Sequence, residues 1–165
     1  SDFAKITCSA FLLELVEQTT GFGNKENPVF DLLAGALFSM EKTDRPLGLA
    51  VFFIIHLLRL HGIFDLTLRC KVCGANDFSA FAFDTHDMGV VCGNCSGADK
   101  DMLGKDALDF VSASLNTKFS GIAQHKYSAA SLRGLLFSMS LFLERYFSMK
   151  IRSKELILNI TGHIH

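Results

Sequence analysis

Apolar positions recur with helical spacing along most of this chain, and the exceptions fall in one central stretch. Residues 2–19 read as a helix capped by Ser1, with Cys8, Phe11, Leu12, Leu15 and Val16 on one face and Gly21 and Gly23 as its stop. Asn27-Pro28 opens a second helix, Asn as the cap and Pro at the first helical position. Val29, Leu32, Leu33, Ala36, Leu37 and Met40 give it a sustained apolar stripe. Thr43 to Pro46 starts a third helix. From about Leu47 to Leu60 it is apolar nearly all round, which predicts a central helix buried on most sides and ended by Gly62.

The grammar then changes. Phe78 to Phe83 alternates apolar and small residues, Met88 to Val91 answers it, and Asp84-Thr85-His86-Asp87 lies between as a turn, so residues 65–100 read as a small β-hairpin module. Helical character returns near Lys105 to Leu115, residues 117–127 read as a loop, and Ser128 caps the longest amphipathic helix, running to about Met149. Leu132, Leu135, Leu136, Met139, Leu143 and Tyr146 form its expected core stripe, and Ser153 is expected to cap a short last helix from Lys154 to Ile160. The division is residues 1–64 and 101–165 as the two halves of a helical bundle, with residues 65–100 inserted between them.

The insertion carries Cys70-Lys-Val-Cys73 and Cys92-Gly-Asn-Cys95, with 18 residues between the pairs. Two such pairs at this separation are a strong zinc signature, because each tight turn presents two thiolates to one ion and the hairpin brings the turns together. Gly74 and Gly93 sit where those turns need a permissive backbone. Paired disulfides and a degenerate site are the competing readings. No secretory signal supports the first, and the presence of all four ligands argues against the second. Four thiolates leave no open coordination position, so one structural zinc per chain is expected, at Zn–S distances of about 2.3 Å. The expected fold is mainly α, a bundle of about six helices with the zinc ribbon protruding between the third and fourth.

Charge adds an asymmetry that the near-zero total hides. Residues 1–109 carry 9 basic and 15 acidic side chains, whereas residues 110–165 carry 7 and 2. Polyanions or acidic peptides are therefore expected to bind the last third. Within it, Lys150, Arg152 and Lys154 form a cluster near a helix start with Glu155 as the one acid nearby in sequence, and exposed amides there would add to the charge. Arg145, beside Glu144, reads as an ordinary solvated residue. Mean hydropathy is high, +0.30, yet no apolar run reaches the ~20 residues that span a bilayer, and the first helix carries Glu14 and Glu17, unlike a signal segment.

Nothing supports catalysis. Cys8 reads as a buried small hydrophobe, His56 and His61 do not share a helix face, and His163 and His165 read as a solvated tail. Gly21-Phe-Gly23 has no preceding strand, and Gly104-Lys105 lacks the spacing of a phosphate-binding loop.

The order of parts carries a resemblance. Leu12-Leu13-Glu14-Leu15-Val16 is followed by Val29-Phe30-Asp31-Leu32-Leu33, then by Leu57-Leu58-Arg59-Leu60-His61-Gly62 leading into Cys70-Lys-Val-Cys73-Gly74. After Cys92-Gly-Asn-Cys95 comes a helical tail ending Leu143-Glu-Arg-Tyr-Phe-Ser-Met-Lys-Ile-Arg152-Ser153. This resembles the C-terminal helical and zinc-binding region of the RecO family of bacterial recombination mediators. The resemblance implies a non-enzymatic DNA repair protein of the bacterial cytoplasm and nucleoid. Such proteins bind single- and double-stranded DNA, anneal strands, and act with RecR to load recombinase onto strands coated by single-stranded-DNA-binding protein. They also engage the acidic, Phe-ended tail of that coating protein. The family's N-terminal OB-fold has no counterpart here, which implies weak DNA binding by this chain and an apolar face left exposed where that domain docks. Arg133 and Phe137, one turn apart and close to Leu136, together with Lys150, Arg152 and Lys154, are the candidate residues for the tail peptide and DNA. A zinc-ribbon transcription or adaptor module on a helical bundle is the alternative.

Overall fold

The structure, a computed structural model, describes residues 2–21, 28–63, 67–86, 89–97, 101–122 and 127–160. Seven helices and three short strands are present among them: α1 (Asp2–Thr19), α2 (Pro28–Lys42), α3 (Pro46–Leu60), β1 (Ala80–Asp84), β2 (Gly89–Cys92), β3 (Leu103–Gly104), α4 (Lys105–Asn116), α5 (Phe119–Ile122), α6 (Ala129–Tyr146) and α7 (Lys154–Ile160). The expected Ser1 and Asn27 caps, Gly23, Asp87, Met88 and the His163/His165 pair lie outside the described residues.

α3 is the axis of the molecule. Every residue from Leu47 to Ile55 is buried, as are Leu57 and Leu58, because α1, α2, α4, α5 and α6 all pack around it. A helix so surrounded has no polar face to keep, which is what its uniform apolar sequence requires. It ends where Gly62 takes a left-handed φ of 64°, a conformation that costs glycine nothing. Pro28 begins α2 as expected.

α6 starts at Ser128, whose hydroxyl accepts the Ser131 N–H at 3.1 Å, and ends at Tyr146, three residues short of the expected Met149. The chain reverses there through Ser148, at φ 49°. Leu132, Leu135, Leu136, Met139 and Leu143 are buried as expected, joined by Ser140 and Phe142. Tyr146 is not part of this stripe: it lies 49% exposed on the last turn. Within the expected loop at 117–127, residues 119–122 form the one-turn helix α5, and Phe119 packs on Phe52 of α3 with ring centroids 4.7 Å apart.

The ribbon sits between α3 and α4, as anticipated, but it does not stand away from the bundle. Its sheet has the order β2-β1-β3, with Phe81 opposite Cys92 and Asp84 opposite Gly89. β3, which sequence reading does not foresee, pairs Leu103 with Phe81 just before α4 begins. Phe81, Val90 and Leu103 are buried in the same core as the helices, and Phe83 meets Phe142 of α6 edge to face at 6.4 Å. Val91, Cys70 and Cys92 form a separate small cluster beside the cysteine turns.

Several large apolar side chains stay exposed on α1 and α2. The inner sides of these helices are buried, while Phe3, Ile6, Leu13, Phe30 and Phe38 remain exposed. No helix among the described residues is long and apolar enough to cross a membrane.

Candidate metal centre and the basic terminal segment

Two tight turns build the cysteine site. In the first, Cys70 N–H donates to Ala75 O and Gly74 N–H donates to Cys70 O, both at 2.8 Å, and Gly74 takes a left-handed φ of 75° that favours glycine. In the second, Cys95 N–H and Ser96 N–H both donate to Cys92 O, at 3.0 and 2.9 Å. The turns are locked together by Lys71 N–H, which donates to Val90 O at 2.9 Å.

This brings the sulfurs of Cys70, Cys73, Cys92 and Cys95 within 4.8 Å of one another, a group that could hold a metal ion. Tetrahedral bonds of about 2.3 Å would set sulfur–sulfur edges of about 3.8 Å, and Cys73 Sγ lies 3.8 Å from Cys92 Sγ. Within the donor set Cys70 is the thiol prepared for negative charge, whereas the neighbouring thiols of Cys73 and Cys92 push Cys95 up to about 12. Cys92 N–H donates to Cys70 Sγ at 3.3 Å. Burial works to raise the Cys70 pKa, but N–H donation from Cys92, Cys73 and Val72 outweighs it and brings the thiol down to about 6. Four thiolates fill a tetrahedron, so an ion held here has no position open to substrate.

The basic segment is a different case. Its expected isolation from acids is overturned, because Glu14, far away in sequence, and Glu144, near the end of α6, hold it. Glu14 of α1 is buried and accepts N–H from Arg152 at 2.7 Å and from Ser153 at 2.9 Å. The Ser153 hydroxyl also donates to Glu14. Gln18 Nε2 donates to Glu14 at 2.9 Å and to Lys150 O at 3.2 Å. Burial raises the Glu14 pKa, yet the hydrogen bonds from Ser153 and Arg152 prevail and hold it below the usual carboxylate range. Glu144 takes Ile151 N–H at 2.9 Å and Lys154 Nζ at 2.7 Å. The backbone amides of Ile151, Arg152 and Ser153, just before α7, are thus occupied from within.

Lys154 is no open cation: its side chain is 14% exposed and ion-paired with Glu144. Lys150 and Arg152 stay exposed, although Arg152 Nε approaches Glu14 to 3.5 Å. Arg133 and Phe137 lie one turn apart on α6, Arg133 half-buried and Phe137 exposed. Leu136, expected beside them, is fully buried and belongs to the core. Arg145 is not merely solvated, since its guanidinium donates to His86 Nδ1 at 2.9 Å and ties the hairpin tip to the end of α6.

The remaining reactive groups are structural. Cys8 is buried and its thiol is pushed up to about 12 by desolvation. His56 bonds Ser114 O through Nε2 at 2.9 Å, and its pKa is lowered, chiefly by burial. His61 packs edge-on against Phe147 at 5.1 Å.

Fold and site together define a class: a helical bundle built around one buried helix, with an inserted ribbon that carries a closed four-thiolate site. The family profile described as Recombination protein O C terminal, RecO_C, matches residues 1–155, and the chain belongs to this family. Curated relatives are called DNA repair protein RecO. That of Alkaliphilus metalliredigens is 30% identical over 99 residues, covering 59% of this chain and 40% of the relative. That of Acetivibrio thermocellus is 27% identical over 104 residues, covering 62% and 41%. That of Caldicellulosiruptor saccharolyticus is 29% identical over 87 residues, covering 53% and 36%. The matched region thus spans about two fifths of the relatives' own length.

Proposed function

We propose that this chain is the C-terminal portion of a RecO-type recombination mediator, a binding protein of the bacterial cytoplasm and nucleoid that acts in DNA repair without catalysing a reaction. The observation that carries this reading is the family match over residues 1–155 on a bundle bearing the four-thiolate ribbon. It favours a repair mediator over a transcription or adaptor module.

The ion is zinc, one per chain, held by Cys70, Cys73, Cys92 and Cys95. Its role is to fix the two turns against β2, since a closed thiolate tetrahedron binds no substrate. The working surface is elsewhere. An acidic peptide ending in Phe needs cations for its carboxylates and an apolar slot for its ring. On α6, Arg133 and Phe137 supply both kinds of contact, and exposed Leu141 extends the apolar row by one further turn. Lys150 and Arg152 add cations beyond the helix end, and Lys154 contributes through its pairing with Glu144. Single- and double-stranded DNA bind weakly to this portion alone, and RecR is the partner in recombinase loading.

The test is fluorescence anisotropy with the acidic tail peptide of the single-stranded-DNA-binding protein, followed by reconstitution of recombinase loading with RecR. Affinity should fall as salt rises, because exposed charge pairs are screened, and should keep an apolar residue that Phe137→Ala removes. If Arg133→Ala and the combined change of Lys150, Arg152 and Lys154 both leave affinity unchanged, this assignment of the surface is wrong.

A further inference from the structure

α1 has more apolar surface than the bundle uses. Ala4, Cys8, Phe11, Leu12 and Leu15 already fill its inner side, yet Ile6 and Leu13 project outward and, with Leu37 and Met40 of α2, line a groove of about 760 Å³. Phe3 and Phe38 flank it, each 61% exposed. An amphipathic helix needs one apolar stripe to join a core, so a second, contiguous one marks a surface made for a partner.

The rim narrows the choice of partner. On the exposed sides of α1 and α2 the described charged residues are Asp2, Glu17, Asp31 and Glu41 against Lys5 and Lys42. Both lysines are engaged locally. Lys5 Nζ donates to Glu41 O at 2.9 Å, and Lys42 Nζ lies 4.0 Å from the Phe38 ring centroid. At the groove itself the charged lining is Asp2 and Glu41 against Lys5, so carboxylate is in excess there. An acidic peptide meets like charge here, which separates this face from the α6 surface. A second copy related by a two-fold axis would set the acidic rim against itself. An apolar ridge flanked by Lys or Arg meets complementary groups on both counts.

We propose that the α1–α2 groove docks a basic amphipathic helix of a partner protein, with its apolar anchors between Ile6, Leu13, Leu37 and Met40 and its cations facing Asp2, Glu17 and Glu41. This goes beyond the repair reading and does not rest on it. The probe is a labelled Leu/Lys amphipathic peptide as long as α1, 18 residues, with a Leu/Glu counterpart and a scrambled Leu/Lys peptide as controls. The Leu/Lys peptide should bind the 165-residue chain about tenfold or more tightly than either control. Ile6→Glu combined with Leu13→Glu should abolish binding. Because both positions are exposed, helical circular dichroism should be unchanged; the milder pair Ile6→Ser and Leu13→Ser, expected to weaken binding about tenfold, serves if the first pair misfolds. Glu41→Lys should weaken binding about fivefold at low salt and less at high salt. Equal binding of the Leu/Glu or scrambled peptide overturns the proposal. So does a dimer in sedimentation that Ile6→Glu dissociates, which would give the groove to a second copy. Loss of peptide binding in a longer product of the same reading frame overturns it too, giving the groove to the chain's own flanking portion.

Discussion

Phe53 in α3 and Cys92 in β2 are almost equally hidden, 0% and 3% exposed, but different forces keep them so. Phe53 sits in one continuous apolar core shared by the helices, where close packing alone makes the position costly to empty. Cys92 belongs to a cluster of three buried residues, with Ala75, Phe78 and Cys95 against it, too little apolar surface to fix two turns and a hairpin. The border between these regimes runs through the ribbon sheet itself. Phe81 and Val90 join the helical core, while Val91 and Cys92 cluster with Cys70 near the cysteine turns. The lesson is that the insertion is anchored at its sheet by burial and at its turns by its ligand set, so losing the metal should free the turns and leave the sheet attached.

Experiments can break that contrast, beginning with the helical side. Phe53→Ala should cost about 3–5 kcal/mol and lower the urea midpoint of the whole chain, ribbon included, because the core is shared. Next comes the ribbon. Cys92→Ser, or chelation, should remove the stoichiometric metal seen by elemental analysis. It should also speed amide exchange around residues 70–75 and 92–96 about 100-fold, some 2.7 kcal/mol of local stability. Helical circular dichroism should persist, and its loss on chelation would show that the turns and the bundle are not separable. Third is Glu14→Ala, which orphans the amides of Arg152 and Ser153 and should cost about 2 kcal/mol. Because the folded pKa of Glu14 is depressed, its contribution is full above the ordinary carboxylate range and is lost as pH falls through that range toward the lowered value. Glu14→Gln should flatten this part of a stability–pH profile. Smallest is Arg152→Ala: its guanidinium is 78% exposed, and the change should stay within about 0.5 kcal/mol in denaturant titration.

Features written in local sequence were legible in advance. The uniform apolar run of α3, Pro at the start of α2, Ser128 as a cap and the paired cysteines each declare themselves within a few residues. What sequence reading missed depends on contacts made at a distance. β3 is two residues long and exists only because β1 lies beside it. Tyr146 fits the apolar period of α6 but falls where the helix ends and the core has run out. Leu136 sits about 60° around the helix from Arg133 and faces inward, because each residue turns the helix about 100°. The basic cluster looked open because its counterions come from elsewhere: Glu14 lies 139 positions before Ser153, and Glu144 reaches Lys154 only because the chain turns back at Ser148. Segment charge therefore overstated surface charge in the last third. The one available sign was an acid, Glu14, set amid the apolar run Leu12 to Val16.

The bond from Glu14 to Ser153 also sets an order of events during folding. It closes a loop of 139 positions, and such a closure is entropically late, since nearby contacts form before distant ones. Until α7 has left the ribosome, Glu14 has no amides to receive, and a carboxylate on the side of α1 that the bundle buries must stay hydrated. α1 can then settle fully only after α7 is made. Synthesis and completion of the bundle are thereby coupled, and a chain cut short near residue 150 would keep a charged group where the finished molecule has a sealed seam.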